Sequence, residues 1–262
     1  MAHEHHHNHT HTHKPEAVKQ NGTYNYTLSS YSPLHVEVTI PYILDSDVEI
    51  TAQNFLTDIN PNKEEVTDEW LKDHLDDIDS FDKLYSSVRE QLELLNEKFV
   101  KDQVRTKCIT QLTLLLEQKV PTKEIEAMQQ VLLAKQAETL QSQGITKQQY
   151  AEANDTTTED INNALYNYAA TLLEQQAALD AFIKHEDIVC FDFEVALKLQ
   201  ITEEQVKALA SNDVATSALD QIRQDIKRDK AANKAVHDAT VSYLEETKEE
   251  ALAHKAHLEQ NM

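Results

Sequence analysis

Two periodicities divide the chain. Between residues 23 and 51 apolar side chains recur at every second position. They are Tyr24, Tyr26 and Leu28 in TYNYTL, then Leu34, Val36, Val38, Ile40 and Tyr42 in LHVEVTIPY, then Val48 and Ile50 in DVEIT. Period two sets alternate side chains on one face, so this stretch predicts three short strands with a single buried face. SYSP and LDSD supply the turns between them, and the segment reads as a small antiparallel sheet. So few strands are marginal alone, and the sheet must pack on the helices or pair elsewhere.

From about residue 66 the spacing changes to three and four. Thr67 caps a short helix carrying Trp70 and Leu71, and Ser80 opens a long one. The long stripe is Leu84, Val88, Leu92, Leu95, Phe99, Val104, Cys108, Leu112 and Leu115, with one step of five after Phe99. It predicts a helix ending at Val120-Pro121, because the residue before proline avoids the α region. That is about 38 residues and roughly 55 Å, longer than one compact core needs, so part of it should project. Pro121 is expected as the first residue of the next helix, with Ile125, Met128, Leu132 and Leu140 inward and Gly144 as the terminator. Thr146 with Gln149 and Thr202 with Gln205 form capping boxes. TTTEDI opens a further long helix through Ile161, Leu165, Tyr168, Leu172, Leu179 and Ile183. The closing helices are assigned Ile222, Ile226, Val236, Val241 and Leu244, and the polar tail after Glu245 is expected to fray. Residues 1–20 are polar and aperiodic and predict no fixed structure. The chain therefore reads as a tail (1–20), a short β-strand segment (21–65) and a helical domain (66–262). The fold class is mainly α with a small antiparallel β segment near the N-terminus.

Composition strengthens this picture and removes chemistries. Two glycines and five prolines among 262 residues leave few tight turns. Gly22 and Gly144 stand alone, so there is no glycine-rich phosphate loop and no serine elbow. A net charge of −22 argues against nucleic acid and against an anionic bilayer, and reads first as solvated helix faces. Cys108 and Cys190 lie far apart and read as separate buried thiols in a reducing compartment, with a disulfide as the lesser alternative. No apolar run is long enough to span a membrane, and the N-terminus lacks the apolar core of a signal peptide, so the expected location is the cytoplasm.

The strongest local chemistry is at the N-terminus, where seven of the first thirteen residues are His3, His5, His6, His7, His9, His11 and His13. Neutral imidazoles bind Zn²⁺, Ni²⁺ or Cu²⁺, and three or four of these can wrap one ion in an exchangeable way. The spacing is not that of a structural zinc site. Three origins fit the tract: a natural metal-binding tail, a leader with no metal role, and a purification tag. His254 and His257 stand three apart on a helix face, where solvation explains them better than ligation. His185-Glu186 fits a helix-end dipole feature. Asp73, Asp76, Asp77, Asp79 and Asp82 lack the glycine and terminal glutamate of a calcium loop. His35 falls on the polar side of a strand and is assigned no role. No nucleophile has a base and an orienting partner, so an enzyme is not expected.

Three stretches, in order, resemble the C-terminal domain of bacterial trigger factor. TDEWLKDHLDDIDSFDKLYSSVREQLELLNEKFVKDQVRTKCITQLTLLLEQKVPTKEIEAMQQ resembles the acidic lead-in, long helix and Val-Pro junction of that family. LQSQGITKQQYAEANDTTTEDI is similar to its single-glycine loop and short polar helix. AALDAFIKHEDIVCFDFEVALKLQITEEQV is similar to its long-helix end and Thr-Glu-Glu helix, and DIKRDKAANKAVHDATVSYL resembles its closing helix. The likeness runs over about residues 67–245. The family's Gly-Phe-Arg ribosome signature and its isomerase domain have no counterpart here, so neither ribosome docking nor prolyl isomerisation is carried over. The resemblance implies body-and-arms helices, also the core of the periplasmic chaperone SurA, forming a cradle for unfolded or nascent clients without ATP or a required cofactor. Apolar tyrosine, methionine and leucine side chains on projecting arms suit loose binding of varied segments. The alternative is a metal-handling or assembly adaptor, with Zn or Ni on the histidine tail and one dedicated protein partner. The sequence identifies no client-contacting residues.

Overall fold

The computed structural model describes residues 14–20 and 23–260. In chain order they form β1 (Lys19–Gln20), β2 (Thr23–Tyr24), β3 (His35–Ile40), α1 (Asp45–Ile59), α2 (Asp68–His74), α3 (Phe81–Leu114) and α4 (Thr122–Ser142). There follow α5 (Lys147–Ala153), α6 (Thr158–His185), α7 (Asp192–Leu199), α8 (Glu203–Leu209), α9 (Asp213–Asp238), β4 (Thr240–Glu245) and α10 (Lys248–Gln260). The chain is mainly helical, as its spacing and scarce glycine predict. It divides into two compact units, a larger one of residues up to 34 with 108–238 and a smaller one of 35–107 with residues from 239 on.

In the larger unit α6 packs against α4, α5 and α9. Its contact faces are rich in small residues, with Ala169, Ala177, Ala178 and Ala181 of α6 and Ala231, Ala232 and Ala235 of α9 all buried. Small side chains let helix axes approach closely. A second cluster joins Val195 and Ala196 of α7, Val206 of α8 and Leu219 of α9. The predicted caps form: Thr146 with Gln149 and Thr202 with Gln205 are reciprocal capping boxes, and Thr157 with Asp160 is a third. At the end of α4 the N–H of Gly144 donates to Gln141 (3.0 Å) and that of Ile145 to Leu140 (3.1 Å), with Gly144 at φ +70. This is the left-handed termination that favours glycine. Pro121 stands one place outside α4, as its N-cap.

α3 stops at Leu114 and does not reach Val120. The reason is competition for backbone groups. The N-terminal segment runs beside residues 115–119, where Ser29 N–H donates to Leu115 O (2.8 Å), Glu117 N–H to Thr27 O (2.9 Å), Lys119 N–H to Pro15 O (2.8 Å) and Ala17 N–H to Lys119 O (3.0 Å). The expected packing of the N-terminal strands is thus achieved partly by pairing with this linker, through Leu28 and Leu116. The only antiparallel pair of named strands among the described residues is β1 with β2.

In the smaller unit β3 shows the predicted alternation, with Val36 and Val38 buried and Glu37 and Thr39 exposed. Its partner is β4, in parallel register from His35↔Thr240 to Ile40↔Glu245. Val241 and Leu244 therefore lie on a strand, where the sequence reading assigns a helix. The third predicted strand is also a helix: Val48 and Ile50 belong to α1, which buries Val48 and Ala52 one turn apart and exposes Ile50. LDSD is not a turn but the start of α1, with Asp45 and Asp47 at its positive end. The tail after Glu245 forms α10, because Thr247 and Glu250 make a capping box and Lys255 pairs with Asp47 of α1 at 2.6 Å. The core joins Val48, Ala52, Trp70, Leu71, Leu84 and Val88.

The stripe of α3 follows steps of four through Leu84, Val88, Leu92, Val100, Val104, Cys108 and Leu112, with Asn96 completing the row. Leu95 and Phe99, assigned to the stripe from sequence, are 62% and 49% exposed. The predicted stripe leaves this row at the step of three from Leu92 to Leu95 and regains it at the step of five from Phe99 to Val104. Tyr168 of α6 is likewise on the outside. Both thiols are free, Cys108 buried and Cys190 half-buried, and burial pushes both pKa values up. The disulfide alternative does not hold.

Candidate functional site

α7 is apolar on two sides. Val195, Ala196 and Leu199 face the core, whereas Phe193 and Leu197, one turn apart, are 55% and 79% exposed. Phe191, just before the helix, stacks on Phe193 with ring centroids 5.9 Å apart and planes within 12°. Val189 extends the exposed apolar run. A folded chain gains nothing by showing adjoining phenylalanine, leucine and valine to water, so this patch is the candidate docking face of the larger unit.

Charged groups from α9 hold this patch outward. Lys230 Nζ donates to Glu194 Oε1 (2.9 Å) and to the Val189 carbonyl (2.8 Å), and lies 5.7 Å from the Phe191 ring centroid. Glu194 also accepts from the Phe191 N–H (2.9 Å). The Lys230 ammonium and then this N–H hold the Glu194 carboxyl below its ordinary pKa. Arg223 reaches Asp192 at 3.1 Å. Arg228 grips Asp180 of α6 through two bonds, of 2.7 and 2.8 Å. Because Arg223 and Lys230 tie down the N-terminal end of α7 through Asp192 and Glu194, Phe191 and Phe193 are presented at a fixed position.

The smaller unit has a groove of about 450 Å³ between the end of β3, α3 and α10. Tyr42, Phe99 and Leu258 give it exposed apolar walls. Its polar side is built on Glu246, whose carboxylate accepts from the Tyr42 N–H (2.9 Å) and lies 2.6 Å from His254 Nδ1. Lys255 closes the same side by pairing with Asp47.

Of the residues singled out in sequence, His3, His5, His6, His7, His9, His11 and His13 lie outside the described residues. Among the described residues no group of three or more His, Cys, Asp or Glu is arranged to hold a metal ion. His254 pairs with Glu246, and His185 stacks on Tyr31 at 3.8 Å while standing 3.8 Å from Glu186. In the acidic cluster Lys83 donates to Asp79 (2.7 Å) and holds its carboxyl below the ordinary range. The exposed Phe191, Phe193 and Leu197 were not singled out. The one sequence signal was the FDF run beside an i, i+4 Phe-Leu pair, which periodicity alone assigns to a core.

Among the described residues no helix is long and apolar enough to cross a membrane. The family model for the bacterial trigger factor protein C-terminus matches residues 80–237. The trigger factor of Latilactobacillus sakei is 28% identical over 172 residues, covering 64% of this chain and 39% of that protein. That of Desulforamulus reducens is 28% identical over 187 residues, 70% of this chain and 42% of its own length. That of Streptococcus mutans is 26% identical over 224 residues, 79% of this chain and 50% of its own. The chain thus spans about two-fifths to one half of the curated relatives it matches. Among solved structures, trigger-factor domains from Thermotoga maritima align at TM-score 0.39 and 14% identity, over 55% of this chain and 85% of that one. A hypothetical Mycoplasma protein aligns at TM-score 0.42 and 11% identity, over 83% and 90%. With more than half of its length matched by the family model, the chain belongs to the family of bacterial trigger factor C-terminal domains.

Proposed function

We propose that this chain is an ATP-independent, chaperone-like protein that holds unfolded or partly folded polypeptides on exposed apolar side chains of its helices, without prolyl isomerase chemistry. The observation that carries it is the outward Phe191–Phe193–Leu197 face, kept rigid by α9 on a member of a chaperone domain family. Aromatic and aliphatic side chains on a fixed helix offer contact area without selecting one shape, which suits clients that must leave again. A net charge of −22 keeps a loaded complex in solution. The proposal includes a cytoplasmic location and no ribosome docking by this chain. Its test is light scattering from a chemically denatured enzyme diluted into buffer without nucleotide. Added protein at a several-fold excess should suppress aggregation, and an unchanged scattering curve rejects the proposal.

The density of histidine at residues 3–13 favours a second reading, a metal-handling or assembly adaptor whose tail binds Zn²⁺ or Ni²⁺ exchangeably. Calorimetric titration of Zn²⁺ into the full chain and a variant lacking residues 1–13 separates the two. The adaptor reading requires binding that disappears with the tail, together with one stoichiometric protein partner in a pull-down.

A further inference from the structure

The two-stranded sheet of the smaller unit has an unequal pair of edges. Glu246 N–H donates to Ile40 O at 3.0 Å, so Ile40 turns its main-chain groups toward β4. In a strand the N–H and C=O of one residue share a side, and successive residues alternate sides. With the register Val36↔Val241 to Ile40↔Glu245, Thr240, Ser242 and Leu244 face β3 and Val241, Tyr243 and Glu245 face away. On β3 the outward residues include Glu37, whose carbonyl accepts from Lys107 Nζ, so a lysine guards that edge. On β4 the outward main-chain groups of Val241, Tyr243 and Glu245 have no partner among the described residues. Beside this edge lies an open groove of about 480 Å³, lined by Ile40 and Tyr243 of the sheet and Glu93, Asn96, Glu97 and Val100 of α3. Its one lining cation, Lys101, is spread toward Glu97 at 3.7 Å and is highly exposed, a weak pair. The groove is therefore apolar at its floor and acidic at its rim.

We propose that the outer edge of β4 accepts an extended segment of unfolded polypeptide as a third strand, one that carries both apolar and basic residues among the side chains of a single face. The main chain of the segment pairs with Val241, Tyr243 and Glu245. Every second side chain of the segment points toward α3, and among these the apolar ones lie over Val100 beside Tyr243 and the lysines or arginines meet Glu93 and Glu97. Main-chain pairing supplies affinity for any extended sequence, and the acidic rim supplies preference. The inference takes its occupant from the chaperone reading above.

The test is fluorescence anisotropy of a labelled nine-residue peptide with threonine at odd positions and valine and lysine taking turns at even ones, titrated with the full chain. A second peptide carries N-methyl groups on alternate amides, removing the donors that pair with β4. Tyr243→Pro removes an outward N–H and leaves the ladder to β3, while Tyr243→Thr changes the side chain and keeps the N–H. Binding to the first peptide is expected to weaken about tenfold on N-methylation and with Tyr243→Pro, the scale of one or two lost hydrogen bonds. Tyr243→Thr should stay within about threefold, the scale of one side chain's packing. Equal affinity for both peptides overturns the proposal even if the proline variant misfolds. Light scattering that finds a wild-type dimer dissolved by Tyr243→Pro, with no peptide bound, assigns the edge to a second copy and also overturns it. Suppression of aggregation by wild type without N-methyl sensitivity sinks this inference alone. N-methyl-sensitive binding without suppression supports the edge and sinks the chaperone reading.

Discussion

The two units bury their cores with different side chains. In the larger unit α6 and α9 bury mainly alanines, and cross-helix ion pairs such as Arg228–Asp180 and Lys234–Glu186 tie them together. In the smaller unit the core is Trp70, Leu71, Leu84, Val88 and Val48. An alanine interface has little volume to lose and little room to gain, whereas a leucine and tryptophan core is sensitive to truncation. At α7 the larger unit also buries branched side chains, Val195 with Ala196 against Val206 and Leu219, while Phe193 and Leu197 stay outside.

The largest effect should come from Leu71→Ala, since Leu71 is fully buried. The expected loss is about 3 kcal/mol. Trp70 is the only tryptophan and belongs to the same cluster, so the urea midpoint of its fluorescence reports on the smaller unit. A midpoint within error of wild type contradicts this account of the core. The next effect should come from the opposite kind of change, Ala232→Leu in α9. Overpacking is expected to cost about 2 kcal/mol. It should appear as lost hydrogen-exchange protection in α6 and α9, with the Trp70 transition in place. A matching shift in the Trp70 transition would show that the contrast between the units does not extend to their stability.

The smallest effect concerns acid. The Glu194 carboxyl is held below its ordinary value of 4.5, so its stabilisation of α7 is full above that pH and lost as pH falls through the lower folded value. Hydrogen exchange of α7, corrected for intrinsic rates, should show protection falling between pH 6 and pH 3. Glu194→Gln should be less protected at pH 6 and change less on acidification. A variant as acid-sensitive as wild type in α7 rules Glu194 out as the cause.

How far this architecture was legible in the sequence varied with how local its causes are. The capping boxes at Thr146 and Thr202, the termination at Gly144 and the alternation of β3 rest on neighbours within a few residues, and all were readable. α1 was misread because Val48 and Ile50 fit period two as well as they fit an amphipathic helix. Ala52, buried one turn beyond Val48, decides for the helix, but a small residue carries little weight in a pattern. β4 could not be assigned because its partner is some two hundred residues away, and a parallel pair leaves no turn between the strands. The α7 patch escaped because periodicity cannot tell which of two apolar helix faces is covered. Only the packing of Val195 and Ala196 against Val206 and Leu219 reveals that Phe193 and Leu197 are left outside.

The central claim is that this outer face of α7 does the holding. The most direct measurement is aggregation suppression by the double variant Phe193→Ser, Leu197→Ser beside the wild-type chain. Both side chains are more than half exposed, so circular dichroism and the Trp70 transition should match wild type. The account predicts that the variant needs several-fold more protein for the same suppression. A folded variant that suppresses aggregation as well as wild type would contradict it.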